Sequence, residues 1–331
     1  MGETIESRDA TWKVLDIAVH GTITSPAGSR GSGSRPAVVL VAGSGPTDRD
    51  WCSPLLPGKN GSGRLLAEAL ARRGFVTLRY DKLASGPHVR ENLPRFAGKV
   101  SMQSHTDELA GAVEAVVSET AVDGERLFAL TNSEGAIHAV NYQLRAKGAR
   151  FRGLVLTGAP GRTIGEVGRG QLLAQGRSMP GVDALMSRYD EAIAEFQAGR
   201  PMVPDPSLPD GVKMLLRSLE NPTNLPFARE LWAYSLPQHV AGLGEPILVL
   251  IGKKDIQVDW RVDGRALEEA TARNGDASFV YPENANHVLK HEGLPVERLS
   301  AEYVSSRYNA ADASLDEEAA SAILGWLDRR R

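Results

Sequence analysis

Apolar residues in this chain fall into short continuous runs that alternate with longer stretches of helical spacing. A short apolar run is typical of a strand covered on both faces, whereas apolar residues three and four apart indicate an amphipathic helix. The predicted strands cover residues 37–41, 75–80, 127–130, 153–156, 246–251 and 277–281. The predicted helices cover residues 63–73, 102–118, 136–144, 261–272 and 315–327. Because strands and helices alternate at short spacing, we predict an α/β fold with a mostly parallel central sheet and helices on both faces.

Three stretches lie outside this regular pattern. Residues 12–23 place apolar residues among polar ones and are predicted as β structure, part of an N-terminal hairpin. Residues 25–35 are rich in Gly and Ser and predict a mobile loop or a long hairpin turn. Residues 288–314 show no regular pattern, and we expect an irregular tail there that can fold over a site.

The alternation of strands and helices stops between residues 162 and 240, where helical stretches occur without a clear strand. Prolines concentrate between Pro201 and Pro209 in this part of the chain. We predict a helical cap inserted into the core, which divides the chain into core residues 1–160, cap residues 161–240 and core residues 241–331. The cap either binds an apolar ligand or uses its apolar residues only to dock on the core. Its predicted apolar side consists of Met179, Met186, Met202, Met214, Leu215, Leu216, Leu219, Phe227, Leu231 and Trp232.

A serine lies between the predicted strand 127–130 and the helix that follows it. Ser133 is followed by Glu134 and Gly135, which is the layout of a nucleophile elbow, a tight corner that lifts a serine above a sheet. The helix N-terminus at this corner favours negative charge. Thr131 stands where the usual G-x-S-x-G pattern has its first glycine. The alternative interpretation is an ordinary turn in which Ser133 caps the helix.

A glycine-containing loop follows the predicted strand 37–41. Gly43, Ser44 and Gly45 can direct backbone N–H groups into a crevice and supply half of an oxyanion hole. A phosphate-binding loop is the alternative, but the lysine of that motif is missing, so nucleotide binding is not expected. We expect residues 48–50, Asp-Arg-Asp, to form a local ion-pair cluster that fixes the loop.

Two further candidate groups follow later strands of the predicted sheet. Asp255 comes after the strand at 246–251, and His287 comes after the strand at 277–281. The carboxyl ends of parallel strands share one edge of a sheet, so these residues and Ser133 can form a catalytic triad. In that triad His287 is the base, Asp255 orients it, and the N–H groups of Ser44 and Glu134 stabilise the oxyanion.

Each member of this triad has an alternative interpretation. Asp255 can bridge to Lys253 or Lys254, which precede it directly. His291 is the rival base to His287 because it follows the same strand. His138 lies on the helix after the elbow, where we expect it to pack or cap. The alignment of the three groups with three strand ends favours the triad.

Composition narrows the classes of partner. The 331 residues suffice for one large α/β domain with an insertion, and the net charge of −3 gives no reason to expect nucleic acid or an anionic membrane. The histidines lack metal-ligand spacing, and the single cysteine, Cys52, allows no intramolecular disulfide and is expected to be a bystander. A signal peptide or membrane-spanning run is not evident, so we expect a cytoplasmic protein. The sequence does not indicate an oligomeric state.

The chain resembles the α/β-hydrolase superfamily, and more narrowly bacterial esterases of its dienelactone-hydrolase-like and prolyl-oligopeptidase-like branch. The resemblance implies the α/β-hydrolase fold and a serine hydrolase that acts on carboxylic esters without a metal or an organic cofactor. Thr131, Asn132 and Ala136 depart from the family pattern, as do Ala42 and the pair Leu83-Ala84. The motifs that carry the resemblance are Gly43-Ser44-Gly45-Pro46-Thr47-Asp48-Arg49-Asp50, Leu78-Arg79-Tyr80-Asp81-Lys82, Asn132-Ser133-Glu134-Gly135 and Asn286-His287-Val288-Leu289-Lys290.

These observations give one main functional hypothesis and two alternatives. The main one is a carboxylesterase that cleaves a small or medium apolar ester through an acyl-enzyme on Ser133, with Gly43, Gly45 and Trp232 contacting the substrate. The first alternative keeps the triad for a thioester, lactone, amide or carbon–carbon bond, or for acyl transfer. The second is a ligand-binding protein with an idle triad.

Overall fold

The computed structural model describes residues 2–29, 34–176 and 180–331, and within these ranges the chain forms one eight-stranded sheet. The strand order across the sheet is β1-β2-β4-β3-β5-β6-β7-β8. β1 and β2 form an antiparallel hairpin, β2 pairs antiparallel with β4, and all other neighbours are parallel. The strands are β1 (Ile5–Val14), β2 (Ile17–Pro26), β3 (Arg35–Val41), β4 (Val76–Tyr80), β5 (Val122–Asn132), β6 (Gly153–Thr157), β7 (Ile247–Leu250) and β8 (Ala277–Val280).

Helices fill the connections between these strands and follow the last one. Those predicted at 63–73, 102–118, 136–144, 261–272 and 315–327 are confirmed to within a few residues, whereas α2 was not predicted from the sequence. The helices are α1 (Ser62–Ala71), α2 (Val89–Phe96), α3 (Met102–Val117), α4 (Gly135–Arg145), α5 (Ile164–Gly176), α6 (Val182–Gln197), α7 (Asp210–Leu219), α8 (Phe227–Trp232), α9 (Leu236–Val240), α10 (Val262–Ala270), α11 (Ala301–Arg307) and α12 (Glu317–Asp328).

The sheet is buried on both faces because its central strands contain continuous apolar runs, such as residues 37–41 of β3 and 127–130 of β5. In β3, Val39 joins a core with α3, α4 and α10, whereas Val38 and Leu40 join a second core with α1 and α12. Alternate strand residues point to opposite faces, so a continuous apolar run supplies both cores. Each fully buried Val or Leu side chain stabilises the fold by about 1.5–3 kcal/mol. The predicted mostly parallel sheet with helices on both faces is confirmed.

Helices α5 to α9 occupy the connection between β6 and β7. A separate core there contains Met186, Met202, Leu216, Leu219 and Trp232 of the predicted apolar side, whereas Leu231 packs in the core of the sheet. The prediction was wrong for Met214, whose side chain is exposed. The division into a core and a cap at residues 160 and 240 stays a prediction. Met179 and residues 30–33 of the predicted Gly/Ser-rich loop lie outside the described residues.

The segment predicted as an irregular tail contains regular structure. A 3₁₀ helix, Val296–Arg298, and α11 lie within residues 288–314. The Ser300 side chain caps α11 by accepting a hydrogen bond from the Tyr303 N–H. The helix is too short and polar to show a periodic pattern, because Val304 is its one buried residue. None of the described helices is both long and apolar enough to cross a lipid bilayer.

Candidate active site

Ser133 occupies a tight corner between β5 and α4. Its φ is 53°, in the left-handed region that residues other than glycine rarely adopt. Such a conformation costs about 1–3 kcal/mol and persists only where surrounding contacts fix it. One such contact is the hydrogen bond from the Ser133 N–H to the Thr157 carbonyl of β6, at 2.8 Å. The strand, the strained serine and the helix have the geometry of the predicted elbow.

Gly135 and Thr131 flank this corner. A Cβ on Gly135 would lie 2.4 Å from the Val41 carbonyl oxygen, so the close approach of α4 to the end of β3 requires glycine. Thr131, which replaces the first glycine of the usual pattern, is fully buried. Its hydroxyl donates to the Val155 carbonyl at 3.1 Å, which satisfies the added polar group. The sheet therefore accommodates the threonine without losing the corner.

Asn132 links the elbow to the loop that carries His287. Its Nδ2 donates to the His287 carbonyl at 2.9 Å. The residue is buried, so the bond is shielded from competing water. Asn132 departs from the family pattern, but it has a defined task here, which is to hold two loops together.

His287 and Asp255 form a buried pair. Nδ1 of His287 lies 2.7 Å from Oδ2 of Asp255, and Oδ1 of Asp255 accepts hydrogen bonds from the N–H groups of Gln257 and Val258. Because the Asp255 carboxylate can only accept a hydrogen bond, the neutral imidazole carries its proton on Nδ1. Nε2 is then the ring nitrogen that can accept a proton. The backbone of Gly158 packs on the ring, since a Cβ there would lie 3.2 Å from Nδ1.

The alternative partners of Asp255 are engaged elsewhere. Lys253 forms an ion pair with Glu283, and Lys254 donates to the Leu294 carbonyl. The described contacts of the Asp255 side chain are therefore those of a residue that orients His287.

Ser133 and His287 line the same two cavities, which have volumes of about 260 and 390 Å³. The smaller cavity also contacts Gly43, Gly45 and Asn309, and the larger one contacts Trp232. The structure thus brings Ser133, His287 and the predicted substrate-contacting residues to one place, with Asp255 hydrogen-bonded to His287.

The rival histidines have other surroundings. The His291 side chain is 51% exposed, and its Nδ1 lies 3.2 Å from Asp316 Oδ2. His138 is buried, with Nε2 3.0 Å from Glu134 Oε1, and burial together with nearby His105 lowers its pKa to about 4. Neither His291 nor His138 lines the two cavities that contain Ser133.

Cys52, the predicted bystander, is also buried. Burial in the first place, with the nearby Asp48 and Asp50 carboxyl groups, raises the pKa of its thiol to about 12. A thiol with that pKa is almost entirely protonated at neutral pH and is a poor nucleophile. These properties agree with a structural position for Cys52.

Ser44 lines both cavities beside Ser133, at the end of β3. A Cβ on Gly43 would lie 3.3 Å from Ser133 Cβ, which shows how closely this loop approaches the elbow. Among the described residues, no hydrogen-bond acceptor contacts the N–H of Ser44 or of Glu134. Neither N–H group is used by another described protein group, so both stay candidates for the predicted oxyanion hole.

The prediction that residues 48–50 form ion pairs with one another was wrong. Nε and Nη2 of Arg49 both donate to Oδ2 of Asp81, at 2.9 and 2.6 Å, and Asp50 accepts from Nε of Arg79 at 2.7 Å. Both partners belong to β4 or to the residue that follows it. Charged side chains on the neighbouring strand end therefore hold the loop.

Several residues at the site were missed from the sequence. Tyr308, Asn309 and Trp51 line the smaller cavity, and Lys82 lies buried behind it. The available signal for Lys82 was a lysine that directly follows the predicted strand and Asp81. Tyr308 and Asn309 offered no signal, because they follow α11 far along the chain.

The described residues contain no group of three or more His, Cys, Asp and Glu side chains arranged to hold a metal ion. They do contain an imidazole, His287, and a hydroxyl, Ser133, on the walls of the same cavities. Those groups are suited to nucleophilic attack on an acyl carbon.

Comparison with known proteins agrees with this geometry. The profile of the alpha/beta hydrolase family matches residues 38–302, and the chain belongs to that family. Esterase EstD of Thermotoga maritima is 27% identical over 313 residues, which cover 92% of this chain and 66% of the esterase. This chain therefore spans slightly less than two thirds of that relative.

Solved structures show the same fold. An esterase from Pyrococcus furiosus superposes with a TM-score of 0.56 at 15% identity, covering 98% of this chain and 93% of the esterase. An acylaminoacyl peptidase from Pyrococcus horikoshii superposes with a TM-score of 0.54 at 14% identity, covering 99% of this chain and 42% of the peptidase. The expected fold and the resemblance to the dienelactone-hydrolase-like and prolyl-oligopeptidase-like branch are confirmed. Family and relatives together support a hydrolase.

Proposed function

We propose that this protein is a serine hydrolase of the carboxylesterase type, which forms an acyl-enzyme on Ser133. The observation that carries the proposal is the shared cavity wall of Ser133 and His287, with Asp255 bonded to His287 at 2.7 Å. A strained serine beside an oriented imidazole is the arrangement that activates a hydroxyl.

The proposed reaction proceeds in two steps. Nε2 of His287 takes the Ser133 proton as Oγ attacks the ester carbonyl carbon, and the N–H groups of Ser44 and Glu134 stabilise the oxyanion. The imidazolium then protonates the leaving alcohol, and the carbon–oxygen bond to that alcohol breaks. In the second step His287 deprotonates a water molecule as that water attacks the acyl carbon. The imidazolium then returns the proton to Ser133 Oγ as the bond between Oγ and the acyl carbon breaks, which releases the acid. Asp255 stabilises the imidazolium in both steps.

The walls of the two cavities favour an uncharged substrate. Among the described residues, those that line the cavities include no Asp, Glu, Lys or Arg. The larger cavity is mainly apolar, with Ile164, Val167, Leu172, Leu215 and Trp232 on its walls. A charged group placed there would lose its hydration without gaining a counter-ion. We infer a neutral ester with an apolar group in the larger cavity.

An active-site fluorophosphonate tests the proposed nucleophile. We expect one probe molecule to label each protein chain, and peptide mapping should locate the adduct on Ser133. Only an activated hydroxyl attacks phosphorus quickly. Protein unfolded in denaturant serves as the control and should remain unlabelled. Folded protein that forms no adduct would contradict the proposal and favour the ligand-binding alternative.

A matched pair of substrates tests the preference for neutral esters. The p-nitrophenyl ester of monomethyl suberate should be hydrolysed with a kcat/KM about 100-fold higher than mono-p-nitrophenyl suberate, whose free carboxylate must enter the site. The two acyl groups share a backbone, so the comparison isolates charge. Equal kcat/KM values for the two esters would show that charged acyl groups are accepted.

A further inference from the structure

Lys82 is a buried cation behind the predicted oxyanion hole. It follows β4 by two residues, and its side chain is 5% exposed. Its ammonium group donates to the Gly43 carbonyl at 2.5 Å and lies 3.4 Å from Glu134 Oε1. Burying an ammonium group is costly unless it is paired and hydrogen-bonded, as it is here. The reaction steps described above give this side chain no role.

The two contacts of Lys82 involve the same two places that supply the oxyanion donors. The carbonyl of Gly43 and the N–H of Ser44 belong to one peptide group, which is planar, so the two bonds point in opposite directions. A cation that holds the carbonyl therefore fixes the direction of the N–H on the far side. Glu134 provides the second donor through its own backbone N–H. The ammonium group thus contacts the peptide group that carries the first donor and the side chain of the residue that carries the second.

The Glu134 carboxylate balances the charge of the Lys82 ammonium group. Burial alone would raise the pKa of the Glu134 carboxyl, but the Lys82 ammonium and the hydrogen bond with His138 hold it well below its usual range. Glu134 is therefore ionised and anchors the ammonium group. The ammonium group thus donates to the Gly43 carbonyl while the Glu134 carboxylate balances its charge.

We propose that Lys82 is a positioning residue for the oxyanion hole, which directs and polarises the Ser44 N–H through the Gly43 carbonyl. The inference rests on the proposed esterase function. Polarising the peptide group makes its N–H a better donor to the negative oxygen that develops in the transition state. The uncharged carbonyl of the bound ester gains less from this stronger donor than the transition state does. Lys82 should therefore affect kcat more than substrate binding.

A purely structural role is the competing explanation, and Arg79 provides the matched control. Arg79 is also a buried cation, lies on β4 and holds the same loop through Asp50 at 2.7 Å. No contact joins it to the peptide group of Gly43 and Ser44. If holding the loop were sufficient, removing either cation would have the same effect on catalysis.

The experiment compares Lys82→Met with Arg79→Met, using hydrolysis of p-nitrophenyl butyrate and inhibition by an alkyl trifluoromethyl ketone. This ketone forms a tetrahedral oxyanion adduct on the nucleophilic serine. We expect Lys82→Met to lower kcat about 10- to 100-fold with KM changed less than about threefold. The affinity for the ketone should fall by the same factor as kcat/KM. Arg79→Met should change both quantities by less than about threefold.

Because Lys82→Met leaves Glu134 buried without its cation, we include the double variant Lys82→Met/Glu134→Gln, which removes both charges. It should show the same loss of kcat as Lys82→Met. Unchanged kcat, a change in KM alone, or an equal loss of kcat in Arg79→Met would overturn the inference. A wild-type protein that neither hydrolyses the ester nor binds the ketone contradicts the proposed function itself, so the two failures are distinguishable.

Discussion

Replacing Ser133 with alanine should lower kcat for ester hydrolysis by about 10⁴- to 10⁶-fold without unfolding the protein. The hydroxyl is the proposed nucleophile, and its removal leaves no Oγ at this position to carry the acyl group. The measurement is the initial rate of p-nitrophenyl butyrate hydrolysis, with circular dichroism to confirm the fold. Ser118→Ala is the control, because that serine lies at the end of α3 and its hydroxyl bonds only within its own turn. Residual activity above about 1% in Ser133→Ala would exclude Ser133 as nucleophile.

The same rate measurement shows whether Ser133 and His287 act together or contribute independently to kcat. Ser133→Ala combined with His287→Ala should be no slower than Ser133→Ala alone, because the imidazole acts by moving the serine proton. Independent roles would instead multiply the two losses. A double variant that is slower by the product of both factors would mean that His287 acts apart from Ser133.

Replacing His287 with alanine should lower kcat by about 10⁴-fold, whereas His291→Ala should leave it within about threefold of wild type. His287 lines both cavities with Ser133 and is held by Asp255, whereas His291 is half-exposed and contacts Asp316. The two residues follow the same strand, so the pair of variants is matched in position along the chain. Rates are measured with p-nitrophenyl butyrate across pH 6 to 9.

The reverse result would reassign the base. If His291→Ala abolished turnover and His287→Ala retained it, the loop after β8 would have to rearrange in solution. Asp255→Asn gives an independent check, because an amide at that position cannot orient and stabilise the imidazolium as a carboxylate does. We expect a loss of kcat close to that of His287→Ala.

The strands of the core were predictable because the apolar pattern of each strand lies within its own few residues. The run at residues 37–41 is apolar at every position, and such a run is stable only between two layers of helices. The corner at Ser133 was predictable for a related reason, since Gly135 must be small where α4 meets β3. Patterns of this kind involve residues close together in the sequence.

The contacts that were missed join distant parts of the chain. Arg49 pairs with Asp81, and Asn309 reaches the cavity beside Ser133 from a segment beyond the last strand. Each of these polar residues is compatible with many partners when only the sequence is known. Helix α2 was missed because it contains Pro94 and buries little more than Phe96, so no apolar period marks it.

The two cavities differ in which parts of the chain build them, and this difference bears on laboratory evolution. The larger cavity takes its apolar wall from α5 and from Leu215 and Trp232, whereas the proposed triad lies on loops at the sheet edge. Substitutions confined to that apolar wall can retune which esters fit while the reacting groups stay in place. A library at Val167, Leu172 and Leu215, screened for selectivity, should therefore retain rapid reaction with a small fluorophosphonate.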